Sequence, residues 1–285
     1  VDESAIDPVI RDREPPLGWQ PRTVSGGELL RALRRSLGLT QLEIELEADL
    51  GSGYLQRVES GKVANPSRGT VERILVAMGA RFSERREVLV AFGYTVSTPL
   101  PDNDEIEWAR EECADDLSTA PFPAYVLDCR HRLIAWNDHA AAMLGIVSSD
   151  PAFAGLAGRS MIVKWFHPAS FISNRVVEPD VFYPALIRAL RYEMRRFGGE
   201  PWYAEVAAEL QAQPLFSRYW RQTSSDLLPN SSGRARIPLR LRVPLAGVLT
   251  FRVAAEPFVR DERFRTIDFV PADPPSLRWC AERSG

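Results

Sequence analysis

The chain has 285 residues, 45% of them hydrophobic and 26% charged, with a net charge of -3, which is room for one large core or two modest ones. No run of about 18 apolar residues occurs, which excludes a membrane-spanning helix. Cys113, Cys129 and Cys280 stand isolated, which excludes a CxxC zinc site and a disulfide framework. The opening Val1-Asp2-Glu3 lacks the layout of a secretory signal, so a reducing cytoplasm is the expected compartment. Charge is spread unevenly: residues 22–98 hold eleven Lys/Arg against nine Asp/Glu, a net +2, leaving -5 for the rest. That excess is small, and Glu43, Glu45, Glu47 and Asp49 sit together where they oppose phosphate contact.

Residues 1–24 carry Pro8, Pro15, Pro16 and Pro21 among charges and read as an arm without a core of its own. From Ser25 the pattern becomes helical. Ser25 is a good N-cap for a first helix reaching about Leu37, where Gly38 stops it. Thr40 caps a second helix, Leu50-Gly51 is a turn, and Ser52 opens a third helix that Gly61 ends. On the third helix Leu55 and Val58 face inward, leaving Ser52, Gly53, Gln56 and Ser60 outward. A fourth helix over about 70–78 and a fifth over about 84–92 follow. A helix that presents short polar residues at its exposed start, braced by the helix before it, suits a DNA major groove.

The register Thr40-Gln41 … Tyr54-Leu55-Gln56-Arg57-Val58-Glu59-Ser60-Gly61 resembles the Xre family of helix-turn-helix domains, without a gap between Thr40 and Gly61. The resemblance implies that Gln41, Ser52, Gly53 and Gln56 approach base edges, beside Ser60, with Thr40, Arg57, Asn65 and Arg68 near phosphates. It also implies an internal tie between Arg34 and Glu59. Two positions depart from the family: Glu45 replaces a small residue packed against the third helix, and Asp49 replaces the turn glycine.

Thr98-Pro99-Leu100-Pro101 breaks the chain, and a helix over about 104–117, capped by Asp102 or Asn103, is expected next. Its stripe of Ile106, Ala109 or Arg110, Cys113 and Leu117 suits either a lever between domains or the first element of the second. Ala124–Asp128 and Arg132–Asn137 then read as strands around a tight turn, which makes His131 a surface histidine. Asn137 or Asp138 caps an alanine-rich helix ended by Gly145. Helices follow over about 184–197, 202–213 and 215–221, then strands over 237–243, 245–254 and 266–270, with Pro238, Pro244 and Gly247 marking edges or bulges. The expected architecture is an all-α helix-turn-helix bundle over 25–97, a connecting helix over 98–117, and an α+β domain over 118–285 with an antiparallel sheet and helices on one face.

The paired strands, Trp136-Asn137 and the alanine-rich helix resemble the start of a PAS domain. More narrowly, with Ala189-Leu190-Arg191 and Leu215-Phe216-x-x-Tyr219-Trp220, the segment resembles the ligand-binding module of MmyB-like transcription regulators, which follows an Xre domain in this order. That resemblance implies a small apolar ligand, a long-chain fatty acid or similar lipid, held between sheet and helices. Tyr125, Trp136, Trp165, Phe166, Phe171, Phe182, Trp202, Phe216, Trp220 and Phe251 are the candidate lining. Each alone is accounted for as core; their number suits a cavity. A carboxylate head group calls for a cation, and Arg188, Arg191, Arg195, His167 and Arg218 are available, with Arg191 the candidate on the motif.

Other chemistries lack a foothold. His131, His139 and His167 are scattered, and GxSxG, P-loop and GxGxxG motifs are absent. No catalysis, metal or cofactor is expected. The reading is a homodimeric, operator-binding regulator that senses an apolar ligand; the rivals are a second domain that recognises a protein partner and an enzyme hidden within it.

Overall fold

The computed structural model describes residues 24–146, 155–223 and 236–283; all of the expected arm but Val24 lies outside them. The chain divides after Val96 into two compact units.

In the first unit each helix starts where a side chain satisfies its free N–H groups. Ser25 and Glu28 form a capping box on α1 (Gly26–Ser36), and Thr40 and Glu43 form another on α2 (Gln41–Glu47). Leu30, Ile44, Leu55, Val58, Val71 and Ile74 make the core, built from α1, α2, α3 (Tyr54–Glu59), α4 (Arg68–Ala77) and α5 (Phe82–Ala91). Helix α1 lies close because it starts with two glycines: a Cβ on Gly27 would stand 2.4 Å from the Val58 carbonyl oxygen. Asp49, at the family's turn-glycine position, adopts φ 50°, a left-handed setting that aspartate tolerates better than most residues.

The third helix begins two residues later than expected. Ser52 makes no cap; Gly53 holds the cap position at φ 74°, and the reason is Glu45, described below.

In the second unit the expected single helix over 104–117 is two, α6 (Asn103–Glu112, capped by Asp102) and α7 (Ala114–Thr119), broken at Cys113. The break keeps Ala109, Cys113 and Leu117 all buried against Ala124, Val126, Ile134 and Phe264. Strands β1 (Ala124–Asp128), β2 (Leu133–Trp136), β3 (Ile237–Val243), β4 (Gly247–Pro257) and β5 (Phe264–Pro271) form a sheet of order β2-β1-β5-β4-β3, antiparallel throughout. Pro238 falls on the edge strand β3, where its missing donor costs least.

Tyr125 and Leu127 on β1, with Leu239, Leu241, Phe251 and Phe269, face the main helical layer. That layer holds α8 (Asp138–Met143), α9 (Met161–Phe166), α10 (Pro179–Phe197), α11 (Tyr203–Gln211) and α12 (Pro214–Gln222). Helices α6 and α7 cover Ala124 and Val126 on the other face. Helix α10 starts at Pro179, five residues before the expected start at Pro184, which lies inside it. Burial of Phe182, Tyr183, Ile187 and Leu190 offsets the one backbone bond that Pro184 removes. Helix α13 (Pro274–Ala281), capped by Asp273 and sealed by Trp279 and Cys280, was not among the expected elements, although Asp-Pro-Pro-Ser is a legible helix start.

Candidate functional site

Two regions gather the candidate residues, one in each unit. In the first, the start of α3 is capped from α2. The Glu45 carboxylate is buried and accepts the Gly53 N–H at 3.0 Å and the Leu55 N–H at 2.8 Å. The departure at Glu45 therefore replaces a packing contact with a charge-assisted cap on the helix dipole, and it displaces Ser52 from the role the sequence suggested.

The far end of α3 is tied to α1. Arg34 Nε and Nη2 donate to the two oxygens of Glu59 at 2.7 and 3.0 Å, and Nη1 donates to the Leu39 carbonyl. The hydrogen bond to Glu59 holds the Arg34 guanidinium above its ordinary range. Gln41 joins this network, its Nε2 donating one N–H to Glu59 at 2.7 Å, which leaves its second N–H and its carbonyl oxygen for a base edge.

Residues 53, 56, 57 and 60 follow one helical face, and Gln56, Arg57 and Ser60 are exposed on it, with Ser52 exposed just before. The Arg57 guanidinium lies 5.6 Å from the Tyr54 ring centroid. Ser60 turns back to the Arg57 carbonyl, and Thr40 is engaged by Glu43. Asn65 is exposed. Arg68 is held by Glu72 at 2.8 Å and the Thr95 carbonyl at 3.2 Å, partners a phosphate would have to displace.

In the second unit the candidate aromatics fall into groups. Tyr125, Trp165 and Phe251 meet around Phe269, with centroids 5.4, 6.4 and 6.3 Å away. Phe166 packs on Phe216 at 5.2 Å, Phe216 on Trp220 at 5.3 Å, and the Arg191 guanidinium lies over Trp220 at 4.3 Å. Phe182 and Tyr183 bridge the two groups, Phe182 meeting Trp165 and Tyr183 meeting Phe166. Phe171 stands apart, 37% exposed beside Arg175, and Trp136 is half-buried on the edge strand β2. Trp202 sits at the α10–α11 corner against Phe197 and Tyr203. A cleft of about 410 Å³ opens between α10, α11 and α12, lined by Met194, Ala207, Gln211, Phe216, Ser217 and Trp220 together with Arg221.

Beside this cleft Arg191 donates from Nη2 to the Trp220 carbonyl, while its Nε and Nη1 are buried without a hydrogen-bond partner among the described residues. Stranded guanidinium donors are costly, and each of these two calls for an acceptor of its own, such as a carboxylate oxygen. Arg188 and His167 are exposed, and Arg218 lies 3.7 Å from Asp180.

His131 corrects the sequence reading. The turn residue at φ 60° is 4% exposed, not a surface group. Its Nε2 lies 2.8 Å from Glu193, and Arg265 reaches its Nδ1 at 2.6 Å and Glu193 at 3.1 Å. A guanidinium only donates, so Nδ1 is the acceptor in the Arg265 contact, and Nε2 faces the carboxylate. Burial would raise Glu193, but Arg265 and then His131 hold it down at about 2. No spacing rule marks this cluster, because its members come from a turn, a helix and a strand.

The cysteines are free and buried, and burial pushes Cys129 up to about 12 and Cys113 and Cys280 to about 11; none is a thiolate at neutral pH. Among the described residues no helix is long and apolar enough to cross a membrane.

The family model for the MmyB-like transcription regulator ligand binding domain matches residues 117–281. A helix-turn-helix domain model matches residues 27–88. No curated protein matches the chain in sequence.

Proposed function

This chain belongs to the MmyB-like transcription regulators, and on that premise we propose that a long-chain fatty acid or similar lipid binds its second unit and changes how a homodimer engages an operator. The observation that carries the ligand class is Arg191: two buried donors left open beside a cleft lined by Met194, Ala207, Phe216 and Trp220. An acyl chain suits the apolar lining, and a carboxylate oxygen supplies an acceptor for an open Arg191 donor. On DNA, Gln41, Ser52, Gly53 and Gln56 read bases beside Ser60, while Thr40, Arg57, Asn65 and Arg68 hold the backbone. Two α3 helices of a dimer would address half-sites about one turn, roughly 34 Å, apart. Ligand acts by favouring one of two dimer settings.

Close ring packing of Tyr125, Trp165, Phe166 and Phe251 favours a second reading, in which this unit is a protein-interaction or dimerisation module with no ligand. Native mass spectrometry of protein from a heterologous host separates the two. The first reading expects a retained lipid, lost in Arg191→Leu while thermal stability holds or rises. Protein that carries no lipid and takes up none from added hexadecanoate would leave the second.

A further inference from the structure

The segment that joins the two sequence-matched regions is gripped at consecutive residues by two different parts of the second unit. Thr98 is 6% exposed, and both its backbone groups are taken by side chains of the α10–α11 corner. Its N–H donates to Glu200 Oε1 at 2.7 Å, and its carbonyl accepts from Trp202 Nε1 at 2.7 Å. The next carbonyl, that of Pro99, accepts from Arg263 Nη1 at 3.3 Å. Arg263 is itself 1% exposed and fixed by Asp261 at 2.7 Å and Glu105 at 2.6 Å.

These grips differ in what they report. The Arg263 grip is a buried, doubly paired charge beside the start of β5, tied through Glu105 to α6 and not to the cleft helices. Glu200 and Trp202 stand where α10 passes into α11, the two helices whose Met194, Ala207 and Gln211 line the cleft together with α12. Trp202 is wedged between Phe197, the last residue of α10, and Tyr203, the first of α11, at centroid distances of 5.7 and 5.6 Å. A change in the spacing of α10 and α11 therefore reaches Thr98 directly, while Pro99 is held from Arg263, outside those helices. The connector is also stiff: Pro99 and Pro101 each fix φ, and a residue before proline is held extended. A displacement at Thr98 is passed along such a chain rather than absorbed.

We propose that Glu200 and Trp202 are positioning residues that transmit occupancy of the α10–α12 cleft to the connector through the two backbone groups of Thr98. The proposal rests on the reading that a small ligand enters this helical layer. It accounts for an indole that hydrogen-bonds a backbone carbonyl 104 positions earlier in sequence, where a core tryptophan needs only a nearby acceptor.

The test is the distance between spin labels on the full chain at Glu87→Cys and Leu277→Cys, both exposed sites in a chain whose own cysteines are buried. The background is wild type, Glu200→Ala, Glu200→Gln or Trp202→Phe. The phenylalanine keeps the ring and removes the donor; glutamine keeps an acceptor oxygen and serves as the rescue. Hexadecanoate is the probe, its retention checked by native mass spectrometry and stability by thermal midpoint. The expected result is a hexadecanoate-dependent shift in wild type and Glu200→Gln. That shift is lost in Glu200→Ala and Trp202→Phe although these remain folded and loaded. Equal shifts in all four, or a loaded wild type that shifts not at all, would overturn the proposal. Should wild type retain no hexadecanoate, the ligand reading fails by itself, and the unliganded distributions judge the grip: broadening in Glu200→Ala and Trp202→Phe supports it, identical distributions overturn it.

Discussion

Glu45→Ala is the perturbation that bears hardest on how the DNA-binding unit is held together. The wild-type carboxylate accepts two backbone N–H groups at the start of α3, one of them the buried Leu55 amide. Losing an N-cap costs about 0.5–2 kcal/mol, and stranding a buried donor costs about 1–3 kcal/mol. The Gly53 amide is only partly buried, so water can recover much of its share. The sum expected is about 2–4 kcal/mol for Glu45→Ala and about 1–2 kcal/mol for Glu45→Gln, which keeps one neutral acceptor.

Urea denaturation of the full chain can isolate this effect, since every tryptophan except Trp19 lies beyond Val96. Far-ultraviolet circular dichroism follows both units, whereas tryptophan fluorescence is weighted to the second. With a slope of roughly 1 kcal/mol per molar for a unit of this size, the first transition should fall by about 2 M or more in Glu45→Ala. The fluorescence transition should stay in place. A midpoint unmoved within about 0.5 M would refute the reasoning, and would mean that Ser52 or solvent caps α3 as well as Glu45 does.

Three other outcomes are expected. Gln56→Ala should relax discrimination at one base pair by about 1–3 kcal/mol, whereas Arg57→Ala should weaken all sequences alike and reduce the salt slope by about 1; competition binding across salt concentrations distinguishes them. Burial between β1 and β4, and then Glu256, raise Asp268 to about 6. Its ionisation opposes folding, so stability is greatest below the unfolded value and falls as pH rises through about 6. Asp268→Asn should therefore stabilise at neutral pH by on the order of 1 kcal/mol, a gain that disappears in acid; a gain independent of pH would point elsewhere. Glu193 has the opposite sign. Its contribution is complete above the ordinary glutamate range and is lost as pH falls toward about 2, so the loss of stability across that acid window should be shallower in Glu193→Gln than in wild type.

Much of the first unit could be read directly along the chain. Ser25 with Glu28 and Thr40 with Glu43 lie three residues apart, and the inward pair Leu55 and Val58 follows the helical repeat, so the boundaries of α1 and α2 and the core face of α3 are local facts. The same holds for the cap of α8, expected at Asn137 or Asp138 and found at Asn137, and for the alternation along β3, whose Leu239, Leu241 and Val243 are buried while Arg240 and Arg242 are not. The tie of Arg34 to Glu59 was implied by resemblance and is present. Legibility failed at His131, where a turn position suggested solvent, and at α10, where Pro184 suggested a start.

Sequence alone therefore determined where α1 and α2 begin, which faces are apolar, and the order of the two regions, because those depend on hydrogen bonds and side-chain spacing within a few residues. Only tertiary structure decided that Glu45 caps α3, that His131 is buried with Glu193 and Arg265, that two Arg191 donors are left open beside a cleft, and that Trp202 grips Thr98. In these contacts the partners are brought together by packing, at separations no periodicity encodes: the electrostatic identity of each side chain is written in the chain, but its dielectric surroundings and its partner exist only once the elements have docked.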